Sequence, residues 1–336
     1  MNAAVAYPVP SPNWILTYTG QNITADISSM VLSISYIDHL SSRAGELEIL
    51  VEDSSRQWQG AWYPALGDEV NLLIGYRNAP LLPCGDFEID QLELDGPPDS
   101  FRMRCLSAYI TPAMRTRNTF IYENQSLLAI AATVAQKYQL QVVGIADAIN
   151  PVFSRIVQKH ESDVEFLNRI AREHDYDFTV RGSQLIFYFR AALAAEVPQI
   201  TLTRSDVERF SFQNRTRHIY KAAQLNYFDP DTRQLISQSA EAAGIPTGDT
   251  IKLVARCDNG QQALLKAQAA LDEANSSFIH ATFLLPGNTA LSAGNTVALS
   301  GWGSFDGRYL AVQTEHLLNR KSGYTTKLIM RRVIAD

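Results

Sequence analysis

The sequence predicts an α+β chain that is mainly β, with two antiparallel β-barrel units flanking a small α+β module. Three observations carry this. Apolar residues alternate with period two from Ile23 to Cys105, and strand patterning returns after Pro198. Between the two regions, apolar residues fall at helical spacing behind a capping signal. The two β regions also match one another at a constant offset. The expected divisions are a proline-containing arm (1–13), a first barrel (14–112), a central module (113–195) and a second barrel with an inserted helix (196–336).

The arm carries Pro8, Pro10 and Pro12. Leu32, Ile34 and Tyr36 then alternate with Val31, Ser33 and Ser35, and Leu47, Ile49 and Val51 with Glu46, Glu48 and Leu50. Val70, Leu72 and Ile74 follow, then Phe87 and Ile89, then Phe101, Met103 and Cys105. Asp95-Gly96-Pro97-Pro98-Asp99 breaks the last two strands into a hairpin. Leu127, Leu128, Ala131, Val134, Ala135 and Tyr138 mark one helix, with a strand from Leu140 to Val143. Ser162-Asp163-Val164-Glu165 is a capping box opening a second helix, with Leu167, Ile170, Ala171 and His174 on one face. Asp177 to Val180 and Leu185 to Phe189 pair across Arg181-Gly182-Ser183. The later helix presents Ala263, Leu264, Ala267, Ala270, Leu271 and Ala274, with Asp258 or Asn259 as its cap.

Val31–Tyr36 matches Val207–Phe212, and Leu47–Asp53 matches Ala223–Asp229, both 176 residues apart. Leu66–Leu72 matches Ala293–Leu299 at 227 residues, so the second copy holds 51 extra residues, including the helix after Asp258. Gly85–Ile89 matches Gly307–Ala311 loosely, and Phe101–Arg104 resembles Leu328–Arg331. A duplicated β unit with one insertion follows, its helix projecting from the shared sheet.

The chain has 336 residues, 46% of them hydrophobic and 19% charged, a globular rather than a disordered composition. Its formal charge of −6 argues against wrapping nucleic-acid phosphates. No apolar run reaches the roughly 18 residues of a membrane span, so no stable membrane insertion is expected. Residues Met1 to Trp14 carry no secretory pattern, and Cys84, Cys105 and Cys257 lack metal or disulfide spacing. Reduced thiols and synthesis in a cytoplasm are expected. His39, His160, His174, His218, His280 and His316 are scattered without metal-pair spacing, and Asp229-Pro230-Asp231 reads as a turn. Asp86, Glu88 and Asp90 share one strand face. They read as a solvated or channel-facing wall, with Arg102 and Arg104 as ion-pair partners, more readily than as glycosidase carboxylates. No catalytic, cofactor-binding or metal residues are assigned.

The run Glu161-Ser162-Asp163-Val164-Glu165-Phe166-Leu167-Asn168-Arg169-Ile170-Ala171-Arg172-Glu173 resembles the signature of the phage late control protein D family. Tyr176–Val180, Leu185–Phe187 and the helix from Gln125 to Tyr138 fit the same block. Gly85–Asp90, Phe305–Tyr309 and His316 resemble its strand motifs, and Trp62–Asp68 resembles its turn before the next strand. The resemblance implies a baseplate hub of a contractile phage tail or tail-derived injection particle, related to the hub half of type VI secretion spikes. It implies a structural protein and not an enzyme, a homotrimer with two tail-tube-like barrels per chain and no cofactor. Its implied partners are a tail tube protein or tube initiator, a central spike protein and other baseplate proteins. DNA or other cargo would pass the channel without specific binding. Because the sequence stops at Asp336 without a spike-like extension, the spike is expected on a separate chain. The implied location is the virion or particle baseplate, assembled in the bacterial host cytoplasm. Two rival readings are a virion-associated peptidoglycan hydrolase using Asp86 or Glu88, and a carbohydrate-binding module for host attachment using Trp58, Trp62 and Trp302.

Overall fold

A computed structural model describes residues 10–333 except 42, 109–111, 146–149, 182, 215–218, 230–231, 243–244, 246 and 276–278. The arm up to residue 9, Gly182 of the expected hairpin turn, and Pro230-Asp231 lie outside the described residues.

The first β region contains β1 (Pro12–Tyr18), β2 (Gln21–Asn22), the short α1 (Thr24–Ile27), β3 (Val31–His39), β4 (Glu46–Glu52), β5 (Glu69–Tyr76), β6 (Leu82–Asp95) and β7 (Ser100–Ser107). Next come α2 (Pro112–Arg115), β8 (Arg117–Ser126), α3 (Leu127–Lys137), β9 (Gln141–Val143), β10 (Val152–Ser162), α4 (Asp163–Arg172), β11 (Tyr176–Arg181), β12 (Gln184–Phe189) and α5 (Arg190–Ala195). The remainder is β13 (Ile200–Leu202), β14 (Arg209–Asn214), β15 (Tyr220–Asp229), β16 (Gln234–Glu241), β17 (Asp249–Val254), α6 (Gly260–Asn275), β18 (Ile279–Pro286), β19 (Thr296–Leu299), β20 (Gly307–Asn319) and β21 (Gly323–Arg332).

One sheet contains both β regions. Strands β3-β4-β7-β6-β5-β1 lie side by side, and so do β14-β18-β21-β20-β19-β13. Taken in sequence order, the two sets of six follow the same path. In the first, Leu16 of β1 and Ile34 of β3, at opposite ends of the path, share one core with Leu47, Leu72, Phe87 and Met103, so the sheet curls around its own apolar face. Leu202, Phe283, Val297, Tyr309 and Leu328 form the corresponding core of the second. Strands such as β4 and β7 alternate because only one face reaches a core.

The pairings refine the internal match. Ser33 to Ile37 face Leu50 to Glu46, just as Arg209 to Gln213 face Leu284 to His280, so the 176-residue offset between β3 and β14 holds. Gly85 faces Leu72 as Gly307 faces Leu299. The same one-residue bulge falls at Asp90 in β6 and Val312 in β20. Two matches need correction. The counterpart of β4 is β18, not Ala223–Asp229, which belongs to a separate sheet of β16-β15-β17. The insertion therefore lies between β14 and β18, and holds three strands as well as α6. By the bulge register, Met103 corresponds to Leu328, so the match of Phe101 with Leu328 is two residues out. One pairing differs in direction: β1 is antiparallel to β5, whereas β13 is parallel to β19. As expected, α6 stays out of the shared sheet. Ala263, Ala267 and Leu271 pack on Ala223, Leu225 and Tyr227 of the inserted sheet. Asn259 caps α6, accepting from the Gln262 amide at 2.8 Å. Asp258 instead accepts from the backbone and hydroxyl of Ser154.

In the central part, α3 and α4 pack on β11 and β12 through Ile130, Val134, Phe166, Ile170, Phe178 and Leu185. The antiparallel ribbon β8–β10 was not legible as strands, because most of its residues are exposed and lack an apolar face. At the start of α4, Ser162 Oγ accepts from the Glu165 amide at 3.2 Å, and Glu165 Oε2 accepts from the Ser162 amide at 2.8 Å. Ser162→Ala should cost about 1 kcal/mol. A thermal melt matching the wild type would show that the cap contributes nothing.

Candidate functional site

Strand β20 is a fork. Its first residues pair with β19, and after the bulge Gln313 to Asn319 pair with His39 to Ser33 of β3. This joins the two six-stranded sets within one chain. The seam is apolar on its core side. Ile34 and His316 are fully buried, Tyr36 stacks on His316 at 6.1 Å, and Leu318 is 8% exposed. His316 Nε2 donates to Leu291 O, and Nδ1 accepts from the Tyr324 hydroxyl. Burial pushes its pKa down to about 4, which keeps the imidazole neutral.

Strand β6 has the same fork, half filled. Leu82 to Glu88 pair with β5, and beyond the bulge Gln91 to Asp95 pair with β7 alone among the described residues. At the far end of the sheet, β14 pairs with β18 alone among the described residues. Both edges carry exposed apolar side chains: Leu94 is 51% and Phe210 39% exposed.

The carboxylates predicted to share a face lie on the polar side of this sheet, but Asp90 is the bulge residue and breaks their spacing. Asp86 accepts from Asn71 Nδ2 at 2.7 Å. Arg102 and Arg104 pair with a different acidic set. Arg102 lies 2.7 Å from Glu93 and 3.5 Å from Asp95, and Arg104 lies 3.1 Å from Glu48 and 3.2 Å from Glu93. The polar face is thus a ladder of alternating charge. Among the described residues, no group of three His, Cys, Asp or Glu is placed to hold a metal ion.

Two ion clusters, each built on buried aspartates, tie the parts together, and the sequence announces neither. Arg181 Nη2 lies 2.8 Å from both oxygens of Asp38, which also accepts from the Ala293 amide at 3.1 Å. They border a cavity of about 230 Å³ that Asp86 also lines. Burial raises the Asp38 pKa, and Arg181 opposes the shift. The second cluster centres on Arg190, which is 5% exposed. Its Nε lies 3.2 Å from Asp177, Nη2 2.7 Å from Glu273 and Nη1 3.9 Å from Asp175. Arg331 of β21 reaches Asp177 at 3.6 Å. Each cluster draws on residues far apart in sequence, so no local motif announces it.

Of the three tryptophans considered for sugar binding, two are core residues. Trp58 is 4% exposed and stacks on Phe101, and Trp302 is 6% exposed against Phe283. Trp62 is 38% exposed and lines a groove of about 370 Å³ with Tyr63 and Pro64. His174 is buried, with Nδ1 donating to Ile170 O at 2.8 Å, a packed histidine at a helix end. Cys84, Cys105 and Cys257 are buried free thiols.

Comparison with known proteins agrees with this architecture. The family model described as phage tail baseplate hub (GPD) matches residues 102–322. The probable baseplate hub protein of Escherichia phage 186 is 28% identical over 215 residues, 62% of this chain and 54% of that protein. That of Escherichia phage P2 is 27% identical over 214 residues, again 62% and 54%. The chain thus spans about half the length of the curated relatives it matches. The tail protein from Neisseria meningitidis MC58 has a similar fold, with a TM-score of 0.74 and 13% identity over 96% of this chain and 97% of that one. The 43 kDa tail protein of prophage MuSo2 from Shewanella oneidensis gives 0.72 and 14%, over 96% and 98%. An E. coli type VI secretion component gives 0.56 and 13%, over 91% and 74%. With the family model covering well over half its length, the chain belongs to the phage tail baseplate hub (GPD) family.

Proposed function

We propose that the chain is the structural baseplate hub of a contractile tail or tail-derived injection particle. Three copies form a ring in which residues 14–112 and 196–336 alternate as tube-like units, with 113–195 as the module between them. Six similar units meet a sixfold tail tube or its initiator, while the true threefold axis meets the central spike. Other baseplate proteins surround the ring. The observation that carries this reading is the repeated strand path, with the two sets already joined side by side at β20–β3. Two units per chain, in three chains, supply six quasi-equivalent positions.

In this reading the polar ladder of Glu48, Arg102, Arg104, Glu93 and Asp95 faces the channel. Mixed charge with a net negative chain gives a phosphate backbone little to grip, so DNA or other cargo slides through. The ring assembles in the host cytoplasm and functions in the particle baseplate. The hydrolase reading fits less well, because the bulge at Asp90 breaks the spacing of Asp86, Glu88 and Asp90, and Asp86 is held by Asn71.

Electron microscopy of particles containing this chain tests the proposal, with three copies expected at the junction of tube and spike. Density placing the chain elsewhere would refute it. A peptidoglycan zymogram should be blank for the wild type. A clearing band lost in the Asp86→Asn, Asp90→Asn double variant would establish the enzyme instead.

A further inference from the structure

The two forks in the sheet are related by the internal repeat, and among the described residues only that of β20 is filled. The β20–β3 seam therefore serves as a template for the other. The bulge register equates Gln313, Thr314, Glu315, His316 and Leu317 of β20 with Gln91, Leu92, Glu93, Leu94 and Asp95 of β6. The 176-residue offset equates Ile34, Ser35, Tyr36 and Ile37 of β3 with Phe210, Ser211, Phe212 and Gln213 of β14. In the template, Glu315 faces Ile37, His316 faces Tyr36 and Leu317 faces Ser35.

We propose that Gln91–Asp95 of β6 pairs antiparallel with β14 of a second copy of this chain, with Glu93 opposite Gln213, Leu94 opposite Phe212 and Asp95 opposite Ser211. The proposal rests on the hub reading and supplies its chain-to-chain seam.

Side chains at both edges support this occupant. Leu94, half exposed here, stands where His316 is fully buried in the template. Phe210, 39% exposed, stands where Ile34 is fully buried. Closing the second seam would set Leu94 against Phe212, as His316 sits against Tyr36, and bring the partner strand beside Phe210. On the polar face Asp95 falls diagonal to Arg209, an opposite-charge neighbour across the strands. A one-residue slip would set Leu94 opposite Ser211 or Gln213, which take the face opposite to Phe212, so the register is specified by the apolar pattern. Among the described residues, each chain offers a fork at β6 that no strand fills and a terminal strand, β14, paired on one side with β18; these are different surfaces. Such a heterologous contact closes into a ring when the rotation between copies permits.

Disulfide trapping tests the register. Directly opposed antiparallel residues have Cα atoms about 4.5–5.5 Å apart, within disulfide reach. The native thiols are buried and do not compete. The Asp95→Cys, Ser211→Cys double variant should form a covalent ring on mild oxidation, both as purified protein and in assembled tails. Neither single variant should, and the slipped pair Asp95→Cys with Arg209→Cys should cross-link at least about tenfold less. Leu94→Arg should reduce ring assembly at least about tenfold while leaving the monomer's melt unchanged, because that side chain is exposed within one chain. Tails that incorporate the chain but trap neither pair, or trap the slipped pair equally, would overturn this seam and leave the hub reading intact. A chain that neither forms a ring nor enters tails would overturn both.

Discussion

Arg190→Met should lower unfolding stability by about 3–5 kcal/mol, the usual cost of removing one partner from a buried ion cluster. Asp175, Asp177 and Arg190 are all at most 5% exposed. Methionine fills a similar volume but leaves Asp177 to Arg331 alone, at 3.6 Å, and Asp175 without its nearest cation. Glu273 of α6 loses its 2.7 Å contact too, so the insertion loses an attachment to the central module. Urea unfolding followed by tryptophan fluorescence and by circular dichroism would measure the loss. Two separated transitions in the variant would show that Arg190 couples these parts. A loss under about 1 kcal/mol would mean that water already reaches the cluster.

Asp175→Asn should change the pH dependence of stability. Burial and the nearby Asp272 push the Asp175 pKa up to about 7, against the pull of Arg190. An unfolded aspartate titrates near 3.9, so between about pH 4 and 7 the folded chain holds a proton that the unfolded chain releases. This contribution is complete below about pH 4 and is lost as pH rises through about 7. At roughly 1.4 kcal/mol for each pKa unit, the buried charge costs up to about 4 kcal/mol at alkaline pH. Asparagine keeps the shape without the charge and tolerates the left-handed backbone found here, where φ is 61°. The variant should match the wild type near pH 4 and exceed it increasingly toward pH 8. Parallel stability curves across that range would show that Asp175 is ionised throughout.

Much of the fold was legible because local rules and tertiary burial agree. Strands β3, β4, β5 and β7 have one face in a core, and so alternate visibly. Helix α4 begins just after its cap Ser162, because Ser162 and Glu165 satisfy each other's amides within four residues. The repeat was visible between β3 and β14 for the same reason: both present the same alternation to equivalent cores. Where a segment has no single buried face, reading failed. The exposed β8–β10 ribbon is the clearest case; β15, by contrast, alternates like β4 without being its counterpart, because any half-buried strand alternates.

By itself, then, the sequence determined which segments become strands or helices, where α4 starts, and that a β unit occurs twice. These depend on neighbours within a few residues, or on a pattern that a core imposes on each strand separately. Only the tertiary structure decided which strands lie side by side, where the insertion enters, and that β20 forks to receive β3 while β6 keeps its fork open. It also brought Arg181 to Asp38 across 143 residues, and Arg190 to Glu273 and both aspartates. Edge hydrogen bonds are the same for any backbone, and an ion pair leaves no periodic trace. Partner choice is therefore set by burial and register over the whole chain, which no local window contains.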